Sequence, residues 1–264
     1  MADTYEIYAI KYAHHERLSR YNFIGGDPHD VMMPLDYFVW AIVGEDRTFV
    51  VDTGFDPKMA AKRGRTMLNP PAEGLQAIGL DPAKIEDVIL THMHYDHAGN
   101  HNLFPGARYH VQDREMAYCT GRCMCHEALR SAFEPEDVAV MVRRVFEGRV
   151  AFHDGSAELA PGISVHLVGG HTNGIQVVRV RTNRGWVVLA SDATHFYANI
   201  EQARPFPIVY SVGDMLEGYA TIRRLADSPA HIVPGHDPLV IERYPAPNEA
   251  LKGWVARLDA PPAE

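Results

Sequence analysis

The sequence is short of positive charge. Its 25 Lys and Arg stand against 34 Asp and Glu, a formal net charge of −9. A nucleic-acid partner needs a basic surface for its phosphates, so that class is set aside. Cysteine is scarce as well, three in 264 residues and all of them between Cys119 and Cys125. Three thiols in one short stretch cannot staple a chain of this size, which points to a reduced, cytoplasmic protein. No run approaches the roughly 18 apolar residues that a membrane span requires. The opening "MADTYEIYAIKYAHHERL" has no cationic start followed by an apolar stretch, so no signal peptide is expected. An apolar content of 46% with 22% charged residues is that of a globular protein and argues against disorder. Histidine, by contrast, is plentiful, with 15 copies whose placement matters more than their number.

Short apolar runs alternate with helical stretches along the chain. "YEIYAIKY", "YFVWAIV" and "RTFVVDTG" read as strands, the last ending in a Gly turn. Helical segments follow, interrupted at Pro70–Pro71, before "IEDVIL" returns as a buried strand. Beyond it "ARYHVQ" reads as a strand, and "REMAYCTG" and "EPEDVAVMVRRVFEG" as helices. "ISVHLVGG", "IQVVRVRT" and "WVVLASDA" are three more strands. Met215, Leu216, Tyr219, Ile222 and Leu225 fall at helical spacing. "AHIVPGH" reads as a last strand, and the tail from Asn248 as a terminal helix. Two β-rich halves with no linker between them predict one domain over residues 1–264, with two sheets packed together and helices outside.

The chemistry concentrates in "ILTHMHYDHAGN". His92, His94, Asp96 and His97 occupy six positions directly behind the "DVIL" strand. In extended chain, residues two apart point the same way, so His92 and His94 can converge on one ion. Asp96 and His97 follow a turn, with Asp96 in the first turn of a helix, and would face a second ion. Imidazole and carboxylate donors suit zinc, iron or manganese without a thiolate. Four ligands are too few for two metals, so more are expected at later strand ends. "HLVGGHTNG" offers His171 after two glycines that permit close backbone approach. "VVLASDATH" offers Asp192 at the end of a very apolar strand, where an unpaired carboxylate is costly. "HIVPGHD" offers His236. Taken singly, His171 reads equally as a turn cap, Asp192 as a helix cap and His236 as a surface residue. Together with the first cluster they make seven donors for two metals.

This pattern resembles the metallo-β-lactamase superfamily, with its H-x-H-x-D-H motif at His92, His94, Asp96 and His97, followed by His171, Asp192 and His236. The resemblance spans Val51 to His236. It implies an α/β fold, the αββα four-layer sandwich, with two metals at one edge of the sheets. By similarity His92, His94 and His171 hold one metal, Asp96, His97 and His236 the other, and Asp192 bridges them. Asp52 in "VVDTG" supports the metal loop from behind. Zinc is the expected metal, with iron, manganese or cobalt as alternatives. Two such ions hold a bridging hydroxide that attacks a carbonyl or phosphoryl group and stabilise the resulting oxyanion.

The fold alone does not choose the substrate. True β-lactamases lack the Asp192 carboxylate. Glyoxalase II-like thioester hydrolases have it but carry a C-terminal helical domain, for which the stretch after His236 is short. What remains is similar to the N-acyl-homoserine lactonase and pyridoxolactonase group, which implies a dinuclear hydrolase that opens a small lactone, with quorum quenching as its role. A homodimer stays open. "GGDPHDVMMPLDYFVWAI" is similar to the loop over that group's pocket, where Met33 and Leu35 can contact substrate; a plain β-hairpin connection fits as well. Tyr95 stands where the group has a pocket aromatic. Asp96 is expected to shuttle the proton from the attacking water to the leaving oxygen. In "SDATHFYAN" the chain departs from the group: His195 stands where a tyrosine meets the substrate carbonyl. Either His195 donates to the oxyanion, or Tyr197 reaches in instead. Thioester hydrolysis and metal binding without turnover are the competing readings. "CTGRCMCH" can bind a soft metal or act in redox chemistry, but its spacing is not a standard zinc pattern. Cys119, Cys123 and Cys125 therefore read as part of a helical insert over the pocket.

Overall fold

The computed structural model describes residues 4–263. In chain order the first strands are β1 (Glu6–His15), β2 (Leu35–Val43), β3 (Thr48–Val51), β4 (Thr66–Met67), β5 (Asp87–Ile89), β6 (Arg108–Gln112) and β7 (Val150–His153). There follow β8 (Ser156–Ala160), β9 (Ile163–Leu167), β10 (Gln176–Thr182), β11 (Gly185–Ser191), β12 (Ile232–Pro234) and β13 (Val255–Arg257). One sheet runs β13-β1-β2-β3-β5-β6-β7, with β4 paired to β1; the other runs β12-β11-β10-β9-β8. Strands β3, β5, β6 and β7 are mutually parallel, as are β11 and β12.

The period-2 alternation of the strands assigns their side chains to layers. On β2, Phe38, Trp40 and Ile42 face the second sheet, where they meet Val178, Val180, Val187 and Leu189. Val39 and Ala41 point the other way. There they join side chains from α1 (Pro57–Arg63), α2 (Pro71–Ala77), α3 (Tyr95–Ala98) and α4 (Asp113–Cys119). Beyond the four-residue α5 (Glu127–Arg130), Met141 of α6 (Pro135–Phe146) completes that layer. Outside the second sheet, Val177, Val188 and Ala190 pack on Ile200 of α7 (Tyr197–Glu201) and on Met215, Tyr219 and Ile222 of α8 (Val212–Leu225). Helix α9 (Leu239–Arg243) contributes Val240 to the layer between the sheets. The result is helix, sheet, sheet, helix, as expected. Each large apolar side chain buried in these layers contributes about 1.5–3 kcal/mol.

Two segments differ from the sequence reading. The tail from Asn248 makes only a short 3-10 turn, Glu249–Leu251, and then pairs as β13 antiparallel to β1, with Tyr8 opposite Arg257. Gly253, at φ 78, breaks the turn before a helix can extend. Strands β7 and β8 were not expected. They flank Asp154–Gly155 but form no hairpin: β7 pairs with β6 in the first sheet and β8 with β9 in the second. The chain changes sheets at that turn.

Candidate metal centre

The expected residues gather where the parallel strands end, the usual position of sites in open α/β sheets. Asp52 follows β3, His92 follows β5, Asp192 follows β11 and His236 follows β12. His92, His94 and His171 form one group. Asp96, His97, Asp192 and His236 form a second, and His171, Asp192 and His195 overlap both. The candidate ligand atoms within each group lie within 4.8 Å of one another, and all these side chains are buried.

Backbone geometry brings them together. Gly170 has φ 98, and a Cβ there would lie 2.5 Å from the Met215 Cα, so only glycine lets the His171 loop reach α8. A Cβ on Gly235 would sit 2.6 Å from Asp192 Oδ1. That glycine lets the His236 loop close on the carboxylate. Two non-glycine residues also adopt left-handed backbone here, Asp52 at φ 61 and Ser191 at φ 45. Each costs about 1–3 kcal/mol, and each is fixed by its surroundings. Asp52 accepts from the Thr91 backbone at 2.7 Å and from Thr91 Oγ1 at 2.8 Å, and it holds His97 Nδ1 at 2.7 Å. Asp52 thus ties Thr91, directly before His92, to the His97 ring.

Proton placement follows from what the outer nitrogens touch. His171 Nδ1 faces the Ile208 carbonyl at 2.7 Å, and His236 Nδ1 faces the Asp36 carbonyl at 2.8 Å. A carbonyl only accepts, so these nitrogens carry the hydrogen and the inner Nε2 atoms present lone pairs. Three inner nitrogens, His92 Nε2, His94 Nδ1 and His171 Nε2, approach one another at 2.9–3.2 Å. They cannot all satisfy each other. Burial, with the neighbouring imidazoles, holds His92 and His94 well below the usual histidine range, which keeps them neutral. At the second group burial would also favour neutral His97, but Asp192, Asp52 and Asp96 outweigh it. His97 Nε2 and Asp192 Oδ1 are buried and make no hydrogen bond. Converging lone pairs, carboxylates and orphaned buried atoms fit cations and little else.

Asp192 sits between the groups. Its Oδ1 lies 3.0 Å from His236 Nε2 and 3.3 Å from His97 Nε2. Its Oδ2 lies 3.4 Å from His171 Nε2 and 2.9 Å from His195 Nε2. Asp96 Oδ2 is 3.7 Å from both His97 and His236.

A cavity of about 220 Å³ opens over these residues, lined also by Leu35, Tyr37, Tyr95, Ile208, Arg17, Arg63 and Arg65. Of the residues singled out in the sequence, Tyr95, Leu35 and His195 line this cavity, the last with its ring stacked on Phe206. Burial lowers His195 to about 3, so it is neutral. Two expected contacts fall elsewhere. Met33 packs against the core beneath the first sheet's helices and does not line the cavity. Tyr197 is buried between the sheets, its backbone N–H on Asp237 and its ring under the Arg243 guanidinium. Its position at the start of α7 turns it away from Asp192. The cysteines join none of the three metal-competent groups; Cys119 is buried, Cys123 half-buried and Cys125 exposed.

Sequence reasoning missed Glu115. It is fully buried on α4 and accepts from Met93 N at 2.8 Å, Thr172 Oγ1 at 2.6 Å and Gly174 N at 3.1 Å. It ties the His92–His94 loop to the His171 loop. Burial, only partly offset by those donors, pushes its carboxyl up to about 7. The available signal was its register: Glu115 shares a helix face with buried Met116, Tyr118 and Cys119.

A family model described as the metallo-beta-lactamase superfamily matches residues 32–236, and the chain belongs to that superfamily. Membership with these His/Asp groups implies divalent metals. Among its relatives is an N-acyl homoserine lactonase, AiiB, of Agrobacterium fabrum, 28% identical over 210 residues, covering 73% of this chain and 76% of that one. An N-acyl homoserine lactonase of Bacillus cereus is 25% identical over 191 residues, 66% of this chain and 70% of the relative. A crystal structure of a quorum-quenching N-acyl homoserine lactone lactonase overlays with a TM-score of 0.72 at 22% identity, covering 90% of this chain and 94% of that chain. Among the described residues no helix is long and apolar enough to cross a membrane.

Proposed function

We propose that this protein is a dinuclear-metal hydrolase that opens a small lactone. The observation that carries the reading is the division of Asp192, one oxygen toward His97 and His236 and the other toward His171. That is the arrangement of a carboxylate shared by two cations. In this reading His92, His94 and His171 hold one ion, and Asp96, His97 and His236 the other. Zinc fits the imidazole-rich set, and iron, manganese or cobalt can replace it. Such ions, when bound, lower the pKa of water toward neutrality and polarise a carbonyl oxygen. The lactonase names of the relatives support the substrate class.

The chain's own residues then have distinct tasks. Asp96 lines the cavity and takes the proton from the attacking water, then returns it to the alkoxide released by ring opening. Leu35 and Tyr95 offer apolar and aromatic walls to the ring. His195 presents its Nε2–H to Asp192 and so orients that carboxylate; donation to the oxyanion requires that hydrogen to turn from Asp192 to the substrate. Asp52 fixes the His97 tautomer. A cytoplasmic location goes with this reading and is supported by the three free thiols.

The test is elemental analysis of the purified protein followed by a pH-drop assay on lactones of different ring size, with acyl-glutathione alongside. Two metals per chain and lactone opening are expected. One metal in the active protein, or hydrolysis of the thioester alone, would overturn the reading.

A further inference from the structure

The walls of the cavity above the metal groups carry three arginines, Arg17, Arg63 and Arg65. Arg63 is answered: it pairs with Glu134, which also binds Lys62 at 2.6 Å. Arg65 is not. Its Nε donates to the Tyr95 hydroxyl at 3.1 Å and its Nη1 to the Arg63 carbonyl at 2.9 Å, both neutral acceptors. The same Nη1 meets His15 Nε2 at 3.2 Å. Arg17 donates to the Tyr21 carbonyl at 2.7 Å. Among the described residues neither has a carboxylate within ion-pair reach, and each is half-buried.

The surroundings treat the two differently: burial lowers Arg17, while Tyr37, Tyr95 and Asp96 together outweigh burial and hold Arg65 charged. The two guanidiniums act on each other unfavourably. Burial, then Arg65 and Arg17, lowers His15 to about 4, so it stays neutral beside them. The acid that acts on Arg65 at longer range is Asp96, whose charge belongs to the metal centre. Two adjacent half-buried cations over a cation-binding floor are costly unless an anion completes the set. The Tyr95 hydroxyl, itself bonded to Tyr37, and the 2.9 Å bond to the Arg63 carbonyl fix Arg65 so that part of its fork remains for a ligand.

We propose that the substrate carries a carboxylate, bound by Arg17 and Arg65 on the cavity wall while its lactone carbonyl lies over the metal groups. This rests on the lactonase reading above. The cavity volume, about 220 Å³, is below the ~300–1,000 Å³ typical of sites for drug-sized ligands, so the part held inside it, ring and carboxylate together, is small.

The experiment compares a small carboxylate-bearing lactone with its isosteric carboxamide on the metal-loaded wild type and on R65M, R17M and R17M/R65M, with R65K as the conservative variant. Calorimetry with the corresponding open-chain hydroxy-dicarboxylate runs in parallel. We expect wild type to favour the carboxylate by at least tenfold in kcat/KM. The double variant should raise KM for it at least tenfold with kcat nearly unchanged, R65K should recover part of the loss, and 0.5 M salt should narrow the preference. If wild type opens both lactones equally and the double variant leaves their ratio unchanged, the proposal is overturned while the lactonase reading stands. If neither lactone is opened, the lactonase reading fails and calorimetry decides. Dicarboxylate binding lost in R17M/R65M then supports an anion site, and equal or absent binding overturns it.

Discussion

At the base of the cavity, His92, His97, His171 and His236 are buried, and each has its outer nitrogen held by a hydroxyl, a carboxylate or a carbonyl. On the wall above, Arg17 and Arg65 are half-buried and touch only neutral groups. Both regions gather positive charge or the means to bind it. They differ in what answers it. The lower region brings its own carboxylates and fixes these four rings, as suits ions that stay bound. The upper region leaves two charges open, as suits a ligand that arrives and leaves. The two should therefore respond to mutation in different ways, the lower through metal content and turnover, the upper through KM.

The largest expected effect is at Asp192. D192A should abolish turnover and leave the protein with fewer than two metals per chain, measured by elemental analysis. Full activity in that variant would mean that the two groups do not share a bridge. Next comes Asp96. D96N should lower kcat by about 10²–10⁴-fold, the range of a proton-transfer group, with substrate affinity little changed. A raised KM at unchanged kcat would move Asp96 from the lower region's behaviour to the upper's. H195F should keep both metals and lose turnover by about 10²-fold, equivalent to ~3 kcal/mol for one misplaced donor. Y197F should match wild type, since Tyr197 lies between the sheets. Steady-state kinetics on the pair would reverse the assignment if Y197F proved the impaired one.

The smallest effect is one of stability. E115Q sets an amide NH₂ against the Gly174 N–H and Thr172, and leaving a buried donor unmatched costs ~1–3 kcal/mol in urea unfolding. Its pH dependence has a definite sign. A carboxyl raised from 4.5 to about 7 holds its proton more firmly folded than unfolded. It therefore gives stability that is fully present below pH 4.5 and is lost as pH rises through 7. The gap between wild type and E115Q should narrow over that window. A gap that widens with pH would show that the three donors stabilise the ionised form instead.

The residues that gather into the candidate metal groups were legible in the sequence because each stands at a strand end, in a short contiguous motif or after glycine, where local pattern and geometry coincide. Glu115 was not. It lies beside exposed Asp113 and Arg114, its register hints only at burial, and its task is set by long-range partners at Met93, Thr172 and Gly174. The arginine pair was hidden because Arg17 and Arg65, far apart in sequence, line one cavity only once the chain is folded. Tyr197 misled because two residues of spacing from His195 become opposite directions once a helix starts between them. The tail was misread because Val255–Arg257 is too short to announce itself as a strand; its partner is β1, at the other end of the sequence.

That last pairing has a consequence for synthesis. β1 leaves the ribosome well before β13, yet its outer backbone groups wait for that strand. Until then a ten-residue strand keeps one edge bare apart from the short contact with β4, and a bare edge of that length invites pairing with another chain. Chains stalled or clipped before Val255 should therefore cling to one another, whereas those that carry β13 seal the edge themselves.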